Sequence, residues 1–252
     1  MNMKKIIISM FVVILSMCAY AQNSNVELGK KYFTAELYTK ALPYLQKAVE
    51  AGDIDSKVRL AYMIFTAQVP DYSIDQDQAL QMLDECIEKG SVYALERKGF
   101  CIIAMSPDTK EDKLKGVDCL VQASAKGNGD ASAELFKAYQ EGIKSYATGE
   151  FYLEPNDSIA TSYVKLAAQQ GNQEGKAYMG LYTYTGEHGF TQDAKAGVKL
   201  MEEALAMSTR FFTCNCLEPA RALTSYYKEN GQTAKAAPII ALLKKYHPTE
   251  MQ

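Results

Sequence analysis

One pattern recurs six times along the chain and limits its fold more than any other feature. A small residue is followed by large apolar residues at +3 and +4, a small residue at +7 and Gly at +11. Ala41, Tyr44, Leu45, Ala48 and Gly52 make the first copy. Ala79, Met82, Leu83, Cys86 and Gly90 make the second, and Gly116, Cys119, Leu120, Ala123 and Gly127 the third. Ala160, Tyr163, Val164, Ala167 and Gly171 follow. Gly197, Leu200, Met201, Ala204 and Ser208 lose only the final glycine. Ala236, Ile239, Ile240, Leu243 and His247 keep the apolar face but lose the small +7 and the glycine. The starts at 41, 79, 116, 160, 197 and 236 are 38, 37, 44, 37 and 39 residues apart. Chance does not hold so narrow a spacing, and self-similarity at such a period is the mark of a repeat architecture.

The pattern has a direct physical reading. Positions 0, 3, 4, 7 and 11 share one face of an α-helix. Large residues at +3 and +4 supply buried area, while small ones at 0 and +7 let a neighbouring helix come close. Gly at +11 can take the left-handed conformation that stops a helix. A second helix precedes each copy, as in Leu28, Gly29, Tyr32 and Phe33, or Ala177, Gly180, Leu181, Tyr182 and Tyr184. Ala220, Leu223, Tyr226 and Tyr227 lead to a stop at Asn230-Gly231 in the same way. One helix pair cannot bury its own apolar face, so neighbours must stack. The expected fold is all-α: a right-handed α-solenoid of about six antiparallel helix pairs, forming a single domain over 22–252. The 44-residue gap places a longer loop at Tyr146–Pro155. Asp130, after Gly127-Asn128-Gly129, is expected to cap the helix that follows.

These residues resemble two related repeat families. Leu28-Gly29, Tyr32, Ala41, Leu45 and Ala48 carry tetratricopeptide spacing, although Asn25 stands where that family has an aromatic residue. Leu223, Tyr227, Ala236, Ile240 and Leu243 fit the same spacing. The inner units are more similar to the Sel-one-like repeat. The stretch Ala177-Tyr178-Met179-Gly180-Leu181-Tyr182 with Gly186, Gly189, Asp193 and Ala196 carries that likeness. So does the preceding helix with Ala160, Tyr163, Ala167 and Gly171. The resemblance spans roughly residues 25–247. It implies a scaffold or adaptor that holds a peptide or protein, with the first helices of the pairs lining a concave surface. It does not identify the partner.

The first 21 residues are a different kind of sequence. A basic start with Lys4 and Lys5 precedes an apolar run from Ile6 to Met17, and Ala19-Tyr20-Ala21 puts small residues at −3 and −1 of a cut before Gln22. That is the layout of a secretory signal peptide, and it predicts a periplasmic or secreted protein. Leu15-Ser16-Met17-Cys18 offers a lipid anchor through Cys18 as the alternative, although Met17 departs from the small residue such a site has before Cys. Removing 1–21 takes two lysines and no acid, leaving 25 basic and 30 acidic residues. The balance of about −5, with no Lys/Arg stripe, argues against nucleic acid and anionic membranes as partners. No later segment reaches the apolar length of a membrane span.

Residues that carry chemistry are few. The chain has two His, and no phosphate-binding glycine loop, nucleophile elbow or zinc-protease helix is present. Five Cys remain after the cut: Cys86, Cys101, Cys119, Cys214 and Cys216. Cys86 and Cys119 sit at repeat core positions and read as small buried hydrophobes. Cys214-Asn215-Cys216 leaves a local disulfide and a metal open beside a structural use, although zinc needs four ligands. The regular bridges of Cys-rich Sel-one-like proteins do not carry over. His188, in Gly186-Glu187-His188-Gly189, belongs to the inter-helix turn, and no cofactor, metal or catalytic residue is expected. Seventeen Tyr against no Trp is the remaining bias. Tyr178, Tyr182, Tyr184, Tyr226 and Tyr227 fall on first helices of their pairs. Tyr139, Tyr178, Tyr182 and Tyr226 are the candidate partner-binding residues, with inter-helix packing as the competing use of each. The expected function is an exported non-enzymatic scaffold for a protein or peptide. A cell-wall hydrolase or a glycan or small-molecule receptor on the Tyr-rich face is the alternative.

Overall fold

The computed structural model describes residues 24–68, 75–105 and 108–249. The signal-peptide reading of 1–21, and with it Cys18, lies outside them. The chain divides into two compact units, residues 1–105 and 106–252. The first holds α1 (24–34), α2 (Tyr38–Glu50), α3 (Ile54–Phe65), α4 (Gln76–Glu88) and α5 (Val92–Met105). The second holds α6 (Lys110–Ala125), α7 (Gly129–Glu141), β1 (Ile143–Lys144) and β2 (Phe151–Leu153). It continues through α8 (Asp157–Gln169), α9 (Gln173–Thr185), α10 (Ala194–Met207), α11 (Thr209–Asn215), α12 (Leu217–Glu229) and α13 (Thr233–Tyr246). None of the described helices is long and apolar enough to cross a membrane.

The six pattern copies lie on α2, α4, α6, α8, α10 and α13, and positions 0 and +7 are buried in all of them. The structure refines the large pair between them. Leu45, Leu83, Leu120, Val164 and Met201 at +4 are almost fully buried. Tyr44, Met82, Cys119, Tyr163 and Leu200 at +3 are only half-buried. At about 100° per residue, +4 and +7 lie about 40° and 20° from position zero, while +3 lies about 60° away. The buried seam is therefore narrower than the pattern suggests. In α13 the roles exchange: Ile239 is buried and Ile240 half-buried.

The turns after α2, α4, α6 and α8 are built alike, over 51–53, 89–91, 126–128 and 170–172. Their middle glycines have φ of +92°, +86°, +89° and +81°. The amide after each glycine donates to the carbonyl of the small +7 residue: Asp53 to Ala48 (2.9 Å), Ser91 to Cys86 (3.0 Å), Asn128 to Ala123 (3.1 Å) and Asn172 to Ala167 (2.9 Å). This is the Schellman closure, and it satisfies carbonyls the helix end would leave bare. The same donor residue then caps the next helix. Asp53, Asn128 and Asn172 accept from the backbone amides of Ser56, Ala131 and Gly175. The cap of α7 is thus Asn128 and not Asp130. Helix α7 starts at Gly129, so Asp130 lies in its first turn and accepts from Asn172 Nδ2 at 2.7 Å.

Within the first unit, Ala41, Leu45 and Met63 form one core layer under Tyr32 and Phe33, and Val58, Ala61, Leu83, Cys86 and Ala94 form another. In the second unit a continuous core runs from Phe136 through Val164, Leu181 and Met201 to Leu223 and Leu243. Helices α9 and α10 cross glycine on glycine. A Cβ on Gly180 would stand 2.9 Å from Gly197 O, and one on Gly197 would stand 2.5 Å from Tyr184 N.

The stretch expected as a plain loop is a small hairpin instead. Ile143 pairs with Leu153 and Lys144 with Phe151, with a bulge between. Gly142 ends α7 at φ +76°, and a side chain there would strike the Phe151 ring. Asp108 holds the hairpin by accepting from Ser145 Oγ (2.9 Å) and Tyr146 N (2.7 Å), while Tyr152 donates to its carbonyl (2.6 Å). Helix α11 is a second addition that the repeat pattern does not contain.

Candidate binding groove

Helix α10 is capped by Asp193, whose side chain accepts from Ala196 N at 2.9 Å. Its buried stripe of Gly197, Val198, Met201 and Ala204 faces the core. That leaves Lys195, Lys199 and Glu202, at i, i+4 and i+7, along its other side. Helix α12 packs on both α10 and α13. It brings Tyr226, whose ring meets Tyr184 edge-on at 6.2 Å and Tyr227 at 6.1 Å. The turn into α13 brings Gln232 and Lys235. Together these residues wall a groove of about 550 Å³. A smaller apolar hollow of about 330 Å³ shares Lys235 and is lined by Leu205, Tyr227, Pro238 and Ile239.

The charges in the groove are unequal in their freedom. Tyr227 donates to Glu202 at 2.7 Å, and Lys235 Nζ stands 3.1 Å from the same oxygen. The Tyr227 hydrogen bond, aided by Lys235, holds the Glu202 carboxyl below the usual range, and burial raises the Tyr227 hydroxyl. Lys235 also lies over the Tyr227 ring at 5.1 Å. Lys195 and Lys199 are exposed and have no ion-pair partner among the described residues. The arrangement suits recognition: an aromatic wall, a free amide and exposed cations beside a hydrogen-bonded carboxylate.

The other tyrosines singled out by the sequence go elsewhere. Tyr178 and Tyr182 come together around Phe136, with ring centroids 5.3 and 6.3 Å from it and 6.0 Å from each other. Tyr182 is only 3% exposed, and its hydroxyl accepts from Gln140 Nε2 at 2.8 Å. Tyr139, half-buried, stacks on Tyr163 at 5.8 Å across α7 and α8. Of the four candidates, Tyr226 alone lines the groove. The groove lysines are absent from the sequence reading. Their signal is the i, i+4 pair on the side of α10 away from Gly197 and Met201.

Two further polar clusters have structural geometry. His188, at φ +51°, pairs through Nδ1 with Asp157, rests on Tyr182 at 4.2 Å, and accepts from Thr161 at its carbonyl. It fixes the loop between α9 and α10. Glu174 is buried on α9, 3.7 Å from Lys137, which in turn lies 2.7 Å from Glu134. Burial pushes the Glu174 carboxyl up to about 7, against the pull of Lys137. Cys86, Cys101 and Cys216 are buried free thiols. Burial raises all three, Cys101 to about 12, far from a reactive thiolate. The side chain of Cys214 lies outside those described.

Solved structures with the same architecture are known. A Sel1 repeat protein from Oxalobacter formigenes aligns at TM-score 0.51 and 21% identity, over 73% of this chain and 76% of that one. A protective antigen present in uropathogenic Escherichia coli strains, displaying an SLR fold, aligns at TM-score 0.55 and 20% identity. That alignment covers 91% of this chain and 47% of the antigen, so this chain spans about half its length. The chain has the Sel1-repeat fold. No family model and no curated protein matches the sequence. The Sel1-repeat fold accounts for the paired helices and their glycine turns. The lysine-lined groove is a property of this chain's own residues.

Proposed function

We propose that the protein is an exported, non-enzymatic scaffold or adaptor that holds a protein or peptide partner. The observation that carries this reading is the groove between α10, α12 and the start of α13. An aromatic ring with two exposed, unpaired lysines beside it offers contact area at low entropic cost together with charge selectivity. Export rests on the basic, apolar and small-residue layout of 1–21, which places the protein in the periplasm or outside the cell. In this reading Tyr226 touches the partner. Tyr139 and Tyr178 border the surface with their half-exposed rims, and Tyr182 supports them from the core.

The test is site-directed crosslinking in the producing cells. A photoreactive residue at position 226 should give one dominant protein or peptide adduct in the exported fraction. The same residue at the exposed position 146, on the hairpin, should give none of that adduct. Equal adducts at both positions, or none at 226, would discard the groove as the partner site.

A further inference from the structure

We propose that the groove, on the reading of it as a partner site, takes an extended acidic peptide with two carboxylates two residues apart. The free charge in the groove is positive, although the chain as a whole carries −3. Both acids that line it are occupied. Asp193 accepts from Ala196 N, and Glu202 holds Tyr227 and Lys235. Lys195 and Lys199 keep their charge for a ligand, since neither has an ion-pair partner among the described residues. An unpaired cation pair beside an aromatic wall is complementary to carboxylates and attracts them to the groove.

The spacing sets the form of the ligand. Lys195 and Lys199 are one turn apart, a rise of about 6 Å along α10. Side chains on one face of an extended strand repeat every second residue, at about 6.5 to 7 Å. Glu-x-Glu or Asp-x-Asp in extended form therefore brings one carboxylate to each lysine. Acids at adjacent positions point to opposite faces and reach only one. The Gln232 side chain, which makes no cap bond to α13, is placed to bond the peptide backbone, and the Tyr226 ring walls the side away from α10. The cations are too few to follow a nucleic-acid backbone, which needs a continuous basic stripe.

The experiment measures fluorescence anisotropy of labelled ten-residue peptides on the protein from Gln22 to Gln252. A Glu-x-Glu peptide should bind at least about fivefold tighter than one with adjacent glutamates, and a Lys-x-Lys peptide should not bind. The double variant K195E/K199E should lose at least about tenfold, K195Q/K199Q should lose less, and K126E, on a remote turn, should match the parent. Lys195, Lys199 and Lys126 are all exposed, so circular dichroism should show the parent fold in each variant. Equal binding of the two glutamate peptides, or no loss in K195E/K199E, overturns the proposal. So does binding of a sulfated polysaccharide in preference to either peptide. If the position-226 adduct persists while the lysine variants change nothing, the acidic ligand is wrong and the partner site stands. If the parent protein itself gives no adduct at position 226, the partner-site reading of the groove falls and the acidic-ligand proposal with it.

Discussion

At the scale of single residues, Glu174 and Gly197 have the most to say about stability. Glu174 titrates near 7 in the fold, against an ordinary value of 4.5, because burial disfavours its charge. Between those values the folded chain keeps a proton that the unfolded chain gives up. The stabilisation is complete below about pH 4.5 and is lost as the pH rises through about 7, by up to about 3 kcal/mol. Urea melts of the parent should therefore lose stability between pH 5 and 8. Glu174→Gln should flatten that slope, and an unchanged slope would show that Glu174 is not its source. Gly197 is constrained differently. Its Cβ would stand 2.5 Å from Tyr184 N and 2.6 Å from Gly180 O, where neither backbone can yield alone. Gly197→Ala should cost about 1 to 3 kcal/mol in thermal or urea unfolding, as overpacking does. Gly127→Ala meets nothing within 4 Å and should cost only about 1 kcal/mol, from its φ of +89°.

At the scale of elements, each inter-repeat turn does two jobs with three residues. It closes the helix behind it on the carbonyl of the +7 residue and caps the helix ahead. Asn172→Ala removes the cap of α9 and the bond to Asp130 together, and should cost about 1 to 2 kcal/mol by the same melts. A loss no larger than that of an exposed mid-helix alanine would reject the double role. These turns were legible in the sequence because glycine at +11 has one dominant use there. The seam on the second helices was equally legible, because a spacing of 0, 4 and 7 has a single helical meaning. The hairpin of β1 and β2 was not. Its strands are two and three residues long, too short to show alternation, and Asp108, which holds it, lies 35 residues before β1. The groove escaped for a related reason: Lys195 and Lys199 look like any solvated helix face until α12 and α13 wall them in. The tyrosines misled in proportion to their number. Tyr182 fills core space that its spacing could equally have assigned to a surface.

At the scale of the whole molecule, repeat proteins draw their stability from neighbours, so damage should stay local. In Gly197→Ala, hydrogen exchange should quicken across α9 and α10 first. The amides of α2 and α3, in the other unit, should keep their parental protection. Uniform loss along the chain would mean that the units unfold as one. The turns described above also bear on how such a chain can change through descent. Segments 51–53, 89–91, 126–128 and 170–172 are fixed in length, because both of their hydrogen-bonding duties fail when a residue is added. Among the connections on the opposite ends of the helix pairs, 66–75, 142–156 and 186–193 are longer and already differ in length. In the last two, Asn156 and Asp193 still close the helix behind and cap the helix ahead, so the extra residues loop out before them. Among relatives aligned to this chain, insertions should collect in those three segments, and the short turns should accept substitutions but no gaps.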